Sequence, residues 1–158
     1  PVDKYNIKVF GNQPWHINQY CGFIQDAKIK DLFVSAKICT NLSEPHAHQY
    51  GFDINERCFK ILCAGGFCIS DNITSIAKIF NGNGVVFAEN PQDFREKIDY
   101  YLSHEEERQQ LASQGQQFLL DNHTNFHRIA DILNYFGYTQ EATNIVDNWS
   151  KTRREMNV

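Results

Sequence analysis

Apolar and polar positions repeat with two different periods along this chain, and each change of period marks an element. Tyr5, Ile7 and Val9 alternate with polar neighbours up to Phe10 and stop at Gly11-Asn12, the pattern of a strand running into a loop. Gly22-Phe23-Ile24 is a second short strand candidate. From Ala27 to Phe33 the spacing turns helical, and Ile29, Leu32, Phe33 and Ala36 share one face. Lys37 to Leu42 reads as a strand and Ser43 to Phe52 as a polar loop. A helix is expected from about Asp53, with Asp53 as cap and Glu56 three residues on, ending at Gly65-Gly66. Phe67 to Ser70 is an apolar strand, Asp71 to Phe80 a short helix and Val85 to Phe87 another strand. Helices then dominate: Pro91 to Leu102, one opening at His104 with acids in its first turn, and Asn125 to Phe136.

Strands alternating with helices predict βαβ crossovers, so the expected fold class is α/β: a three-layer α/β/α, Rossmann-like domain with a mostly parallel sheet. A chain of 158 residues suits one such core. The balance of 42% hydrophobic and 22% charged residues is that of a folded globular chain. Residues 1–90 carry eight basic and eight acidic side chains, so the net charge of −4 sits entirely in the helical remainder. That balance argues against a nucleic-acid partner or an anionic membrane surface. No apolar run approaches the roughly 18 residues of a membrane span. The five cysteines are odd in number and contain no C-x-x-C pair, so neither a disulfide framework nor a zinc site is expected. They read as reduced, mostly buried small hydrophobes, which points to a cytoplasmic protein.

Open parallel sheets bind ligands beyond the carboxyl ends of their strands. Here those ends are Gly11 to Trp15, Asn41 to Phe52, Asp71-Asn72 and Glu89-Asn90. Asn12, Trp15, His46, His48, Asn55, Arg57, Lys60 and Asp71 are therefore expected to cluster at one edge of the sheet. Free backbone N–H groups at a helix start, with Arg57 as a fork of donors, suit a phosphate; a solvated loop with an Arg salt bridge accounts for the same residues. His46-Ala47-His48 has a spacing seen in metal sites, yet no third ligand is placed, and no metal is expected. Gly65-Gly66 reads as a helix end, since neither phosphate-binding glycine pattern is present. No Ser or Cys stands in a nucleophile-elbow context, and the catalytic residues stay unknown.

The segment Asn55-Glu56-Arg57-Cys58-Phe59-Lys60-Ile61-Leu62-Cys63-Ala64-Gly65-Gly66-Phe67, followed by Ile69-Ser70-Asp71, resembles the N-x-R-x-F-E-A-L-A-C-G-G-F…L-S/T-D signature of CgeB-like glycosyltransferases, a GT-B branch. Asn90 to Ile98, Tyr101-Leu102, Glu106 to Arg108, Ala112-x-x-Gly115, His123-Thr124 and His127-Arg128 extend the likeness in order, so it spans roughly Lys8 to Tyr138. The resemblance implies the C-terminal, donor-binding half of a two-domain enzyme over residues 1–138, with a helix or tail over 139–158. It implies transfer of a sugar from a nucleotide-sugar to an unknown acceptor, without a metal or other cofactor. An acceptor-binding domain is then expected before Pro1, in keeping with a sole methionine at Met156. Arg57 matches the motif Arg and is the diphosphate candidate, and Gly22 and Phe23 match the stretch whose backbone faces the base. Lys60 departs from the family Glu that grips the ribose diol: an ammonium donates but cannot accept. That departure keeps open the alternative of a catalytically silent domain retained for nucleotide or protein binding.

Overall fold

Three short parallel strands organise the molecule, lying side by side in chain order: β1 (Cys39–Asn41), β2 (Cys68–Asp71) and β3 (Val85–Ala88). The computed structural model describes residues 4–156. Helix α1 (Ile29–Ser35) leads into β1, α2 (Pro45–Tyr50) and α3 (Arg57–Ala64) join β1 to β2, and α4 (Thr74–Phe80) joins β2 to β3. Four helices follow: α5 (Pro91–Ser103), α6 (Glu105–Asn122), α7 (Asn125–Tyr135) and α8 (Thr139–Met156).

The alternation of side chains along a strand divides the core into two layers. Cys39, Cys68 and Val85 point to one face, where Cys58, Ile61 and Leu62 of α3, Ile76 and Phe80 of α4 and Leu119 of α6 cover them. Ile69 packs with Phe67 on the other face against Ala112 of α6 and the partly buried Phe94, Ile98 and Tyr101 of α5. Helices on both sides of a parallel sheet make the expected three-layer α/β/α arrangement. At α3's end, Gly65 takes a φ of 86° and Gly66 donates its N–H to the Ile61 carbonyl at 2.9 Å. A Cβ on Gly66 would stand 2.9 Å from the Phe33 carbonyl oxygen, so the pair stops the helix and lets α1 pack closely.

Four expectations are corrected. Tyr5 to Phe10 and Gly22 to Ile24 are not strands of the sheet; the first segment forms only an isolated parallel bridge, Val9 with Tyr20. Val9 donates to the Gln19 carbonyl and accepts from Cys21, at 2.9 and 2.7 Å, while Ile7 beside this small ladder stays exposed. Alternation records a tendency to pair, and here the partner is a nearby loop. The polar loop Ser43 to Phe52 contains α2, with Pro45 in its first turn and Gly51 in the left-handed conformation at its end, φ 72°. Helix α3 starts at Arg57 rather than near Asp53, because the Asp53 carboxylate is held by His46 Nε2 at 2.6 Å and Asn55 Oδ1 accepts the Arg57 N–H. Finally, β2 includes Asp71, and α4 begins only at Thr74.

The cysteines divide by position. Cys39, Cys58 and Cys68 are buried, Cys21 and Cys63 exposed, and all are free thiols. Burial pushes the Cys39 thiol up to about 11. Cys58 and Cys68 lie with sulfurs 3.8 Å apart, and the hydrogen bond to Cys58, with burial, pushes the Cys68 thiol well up.

Candidate active site at the carboxyl edge of the sheet

Because all three strands run the same way, Asn41, Asp71 and Ala88 finish at one edge, with Asn41 opposite Ser70 and Asp71 opposite Ala88. A hydrogen-bonded polar cluster sits on this edge. Asn41 is fully buried and donates its side-chain N–H to Ser70 Oγ at 2.9 Å, and Ser70 Oγ donates to the Asp71 carbonyl at 2.9 Å. Oδ1 of Asn41 is buried without a partner. The Asp71 carboxylate, nearly buried, accepts from the Ser43 backbone N–H at 2.8 Å and from Ser43 Oγ at 3.0 Å. It also holds His48 Nε2 at 2.8 Å. With Nε2 committed to a carboxylate, the half-exposed His48 ring keeps Nδ1 as its second nitrogen.

Arg57 stands beside this cluster at the first position of α3. Its Nη1 donates to the Leu42 carbonyl at 3.2 Å, which ties the guanidinium to the residue between β1 and Ser43. Arg57 makes no ion pair with Asp53 or Glu56: Asp53 holds His46, and Glu56 holds Lys60 Nζ at 2.5 Å one turn along. The remaining guanidinium donors face solvent from an exposed side chain. The edge thus presents an Arg fork, an imidazole with one committed nitrogen and the start of α3. This is an arrangement of donors suited to anionic oxygens.

The structure brings His48, Asp71 and Arg57 together, with Asn55 capping the same turn of α3. It sends His46 to Asp53, so the two histidines, two apart on a helix, point to different carboxylates and do not form a metal pair. Among the described residues no three His, Cys, Asp or Glu side chains converge as a metal would need. Asn12, Trp15, Gly22 and Phe23 make no hydrogen bond or ion pair with the edge; Trp15 and Phe23 are largely exposed, and Gly22 accepts from the Gly11 N–H at 3.1 Å. Lys60 faces Glu56. Sequence reasoning passed over Asn41, Ser43 and Ser70. Their signal was the polar end of β1 set against a Ser-Asp at the end of the next parallel strand.

A separate cleft of about 530 Å³ lies elsewhere, between the end of α6, α7 and α8. His123, Arg128, Asp131 and Asp147 line it. Arg128 Nη2 lies 2.7 Å from His123 Nδ1, and since a guanidinium only donates, that ring nitrogen accepts. Burial, then the Arg128 charge, lowers the His123 pKa.

A parallel sheet covered on both faces, with its polar cluster beyond the strand ends, defines a Rossmann-like α/β/α domain by architecture. The chain belongs to the glycosyl transferase-like family, whose family model matches residues 1–134. No curated protein and no solved structure matches it. Its general role is accordingly glycosyl transfer. Among the described residues no helix is long and apolar enough to cross a membrane.

Proposed function

We propose that this domain binds the nucleotide-sugar donor of a glycosyl transfer at the carboxyl edge of its sheet, as the C-terminal half of a GT-B enzyme of the CgeB-like kind working in the cytoplasm. The observation that carries the reading is Arg57. It opens α3 beside the Ser43–Asp71–His48 cluster, with one guanidinium N–H on the Leu42 carbonyl and the others free for a diphosphate. In this role the Arg57 side chain and the positive end of α3 take up charge as the diphosphate leaves, without a metal. Asp71 acts through His48 as a positioning residue, holding the ring by Nε2 so that its other nitrogen meets the ligand. The backbone at Gly22 and Phe23 faces the base, and Trp15 offers a stacking surface or lid. An acceptor-binding domain elsewhere in the longer protein closes the other side of the cleft, so the 158-residue chain alone is expected to show no turnover with donor and acceptor.

Calorimetric titration with UDP, GDP and their sugars tests this. Arg57→Ala is expected to weaken binding by about 1.5–3 kcal/mol, the range for a hydrogen bond to a charged group. If no nucleotide binds at millimolar concentration, the donor site is wrong and a second reading replaces it, that of a silent domain of the same fold. Lys60 favours that second reading, because a side chain paired with Glu56 supplies no acceptor for a ribose diol.

A further inference from the structure

At the opposite edge of the sheet, before the strands begin, a cleft of about 230 Å³ opens between the α1–β1 turn, the α3–β2 turn and the first turns of α6. Ser35, Lys37, Gly66, Glu105, Arg108 and Gln109 are among the residues that line it. Arg108 is the unusual member. Its side chain is only 7% exposed, yet its guanidinium makes a single hydrogen bond, from Nη1 to the Tyr101 carbonyl, among the described residues. The nearest carboxylate, Glu105, stands 4.0 Å from Nη2, beyond hydrogen-bond reach, and already accepts from Gln109 Nε2 at 3.1 Å. A guanidinium carries five N–H donors, and a buried one with most of them unused is costly unless something accepts them. None of its nitrogens is both sealed from solvent and unpartnered, and Arg108 is itself one of the residues lining the cleft. Lys37 lies exposed on the same wall and forms no ion pair among the described residues.

We propose that this cleft is a binding site for a phosphate group, separate from the donor edge and on the other side of the sheet. Two cations against one carboxylate leave an excess of positive charge, which matches the roughly −1.5 to −2 of a phosphate at neutral pH. The volume holds several waters at about 30 Å³ each but falls below the roughly 300 Å³ where pockets for larger organic ligands start, so the ligand is a small phosphate or the phosphate end of a larger molecule. Arg108 supplies paired planar donors to two oxygens, Lys37 a third contact, and Glu105, exposed and bonded to Gln109 rather than to Arg108, yields its place to the incoming anion.

The test is a titration of the isotope-labelled 158-residue chain with inorganic phosphate at constant ionic strength, read by the backbone amide signals of Lys37, Gly66 and Gln109. A parallel arm uses a hexose phosphate; equal affinity in the two arms assigns the site to the free ion and tighter binding of the hexose phosphate to a phosphorylated small molecule. Saturable shifts at these amides are expected in the wild type. Lys37→Ala should weaken binding about threefold to fivefold, the scale of an exposed ion pair, and Glu105→Gln should tighten it similarly. Arg108→Gln should weaken it tenfold or more, and the Lys37 and Glu105 variants, both on exposed side chains, carry the test even if loss of Arg108 unfolds the chain. Arg57→Ala should leave these shifts unchanged, which separates this site from the donor edge. Shifts that never saturate at tens of millimolar, or that are the same in Lys37→Ala and Glu105→Gln as in the wild type, would overturn the proposal.

Discussion

Gly84 and Gly115 meet where the start of β3 passes under α6, and replacing either tests whether this contact sets the spacing between helix and sheet. A Cβ on Gly84 would lie 2.1 Å from the Gly115 Cα and 2.9 Å from the Leu111 carbonyl oxygen, both backbone atoms that cannot swing aside. Gly84 also holds φ at +75°, so an alanine there carries left-handed strain of about 1–2 kcal/mol. Prying two backbones apart adds an overpacking cost of about 1–3 kcal/mol. Gly84→Ala should therefore lose about 2–5 kcal/mol, a large share of the roughly 5–15 kcal/mol that holds a domain folded. Gly82→Ala is the control, since Gly82 has φ +80° with nothing within 4 Å of its Cβ, and it should lose only the strain of about 1–2 kcal/mol. Gly115→Ala falls between: its Cβ would press on Leu62 Cδ2 at 2.7 Å and Gly84 Cα at 3.0 Å, but alanine in a helix interior recovers about 0.5–1 kcal/mol. Urea unfolding followed by circular dichroism gives the three midpoints, with unchanged slopes expected. Equal losses for Gly84→Ala and Gly82→Ala would show that strain alone matters and that the two backbones are not in contact.

Asn90 caps α5 by accepting from the Gln92 and Asp93 N–H groups at 2.9 and 3.0 Å, so Asn90→Ala should cost about 1 kcal/mol in the same urea assay. A loss below a few tenths would mean that water replaces the cap. His123 has its pKa lowered by burial and by the Arg128 charge, so between pH 6.5 and its folded value the unfolded chain binds more protons than the native one. Stability from this residue is thus present above pH 6.5 and is lost on acidification; His123→Gln should flatten the fall in melting temperature from pH 7 to 5, and an unchanged slope would refute the assignment. Lys60→Glu breaks the pair with Glu56 and sets like charges one turn apart, a combined loss of about 0.4–1 kcal/mol in stability. The same change should raise nucleotide affinity if position 60 faces the ribose diol, while a fall would assign Lys60 to a phosphate and no change would remove it from the site.

Elements whose burial is written into a continuous or periodic apolar run were legible in the chain itself. Phe67 to Ser70 and Val85 to Phe87 are covered on both faces and so read as unbroken apolar strands, Gly65-Gly66 closes α3 as its φ freedom requires, and Pro91 opens α5 after an Asn cap. The alternation of these strands with helices was enough for the three layers and the parallel order, and the order in turn placed Asp71 at the carboxyl edge with Arg57. Only the tertiary structure decided which of several equally good local partners each polar or half-apolar group took. Tyr5, Ile7 and Val9 carry a strand's alternation, but the pattern does not say what they pair with, and the edge of the sheet was not their partner. Asp53 has the spacing of a helix cap, yet its carboxylate went to His46 and the helix began four residues later. His48, Ser43 and Asn41 converge on Asp71 and Ser70 only once two strands lie in register. Period encodes which side of an element is dry; hydrogen bonds between distant side chains depend on angles and distances that no local spacing contains.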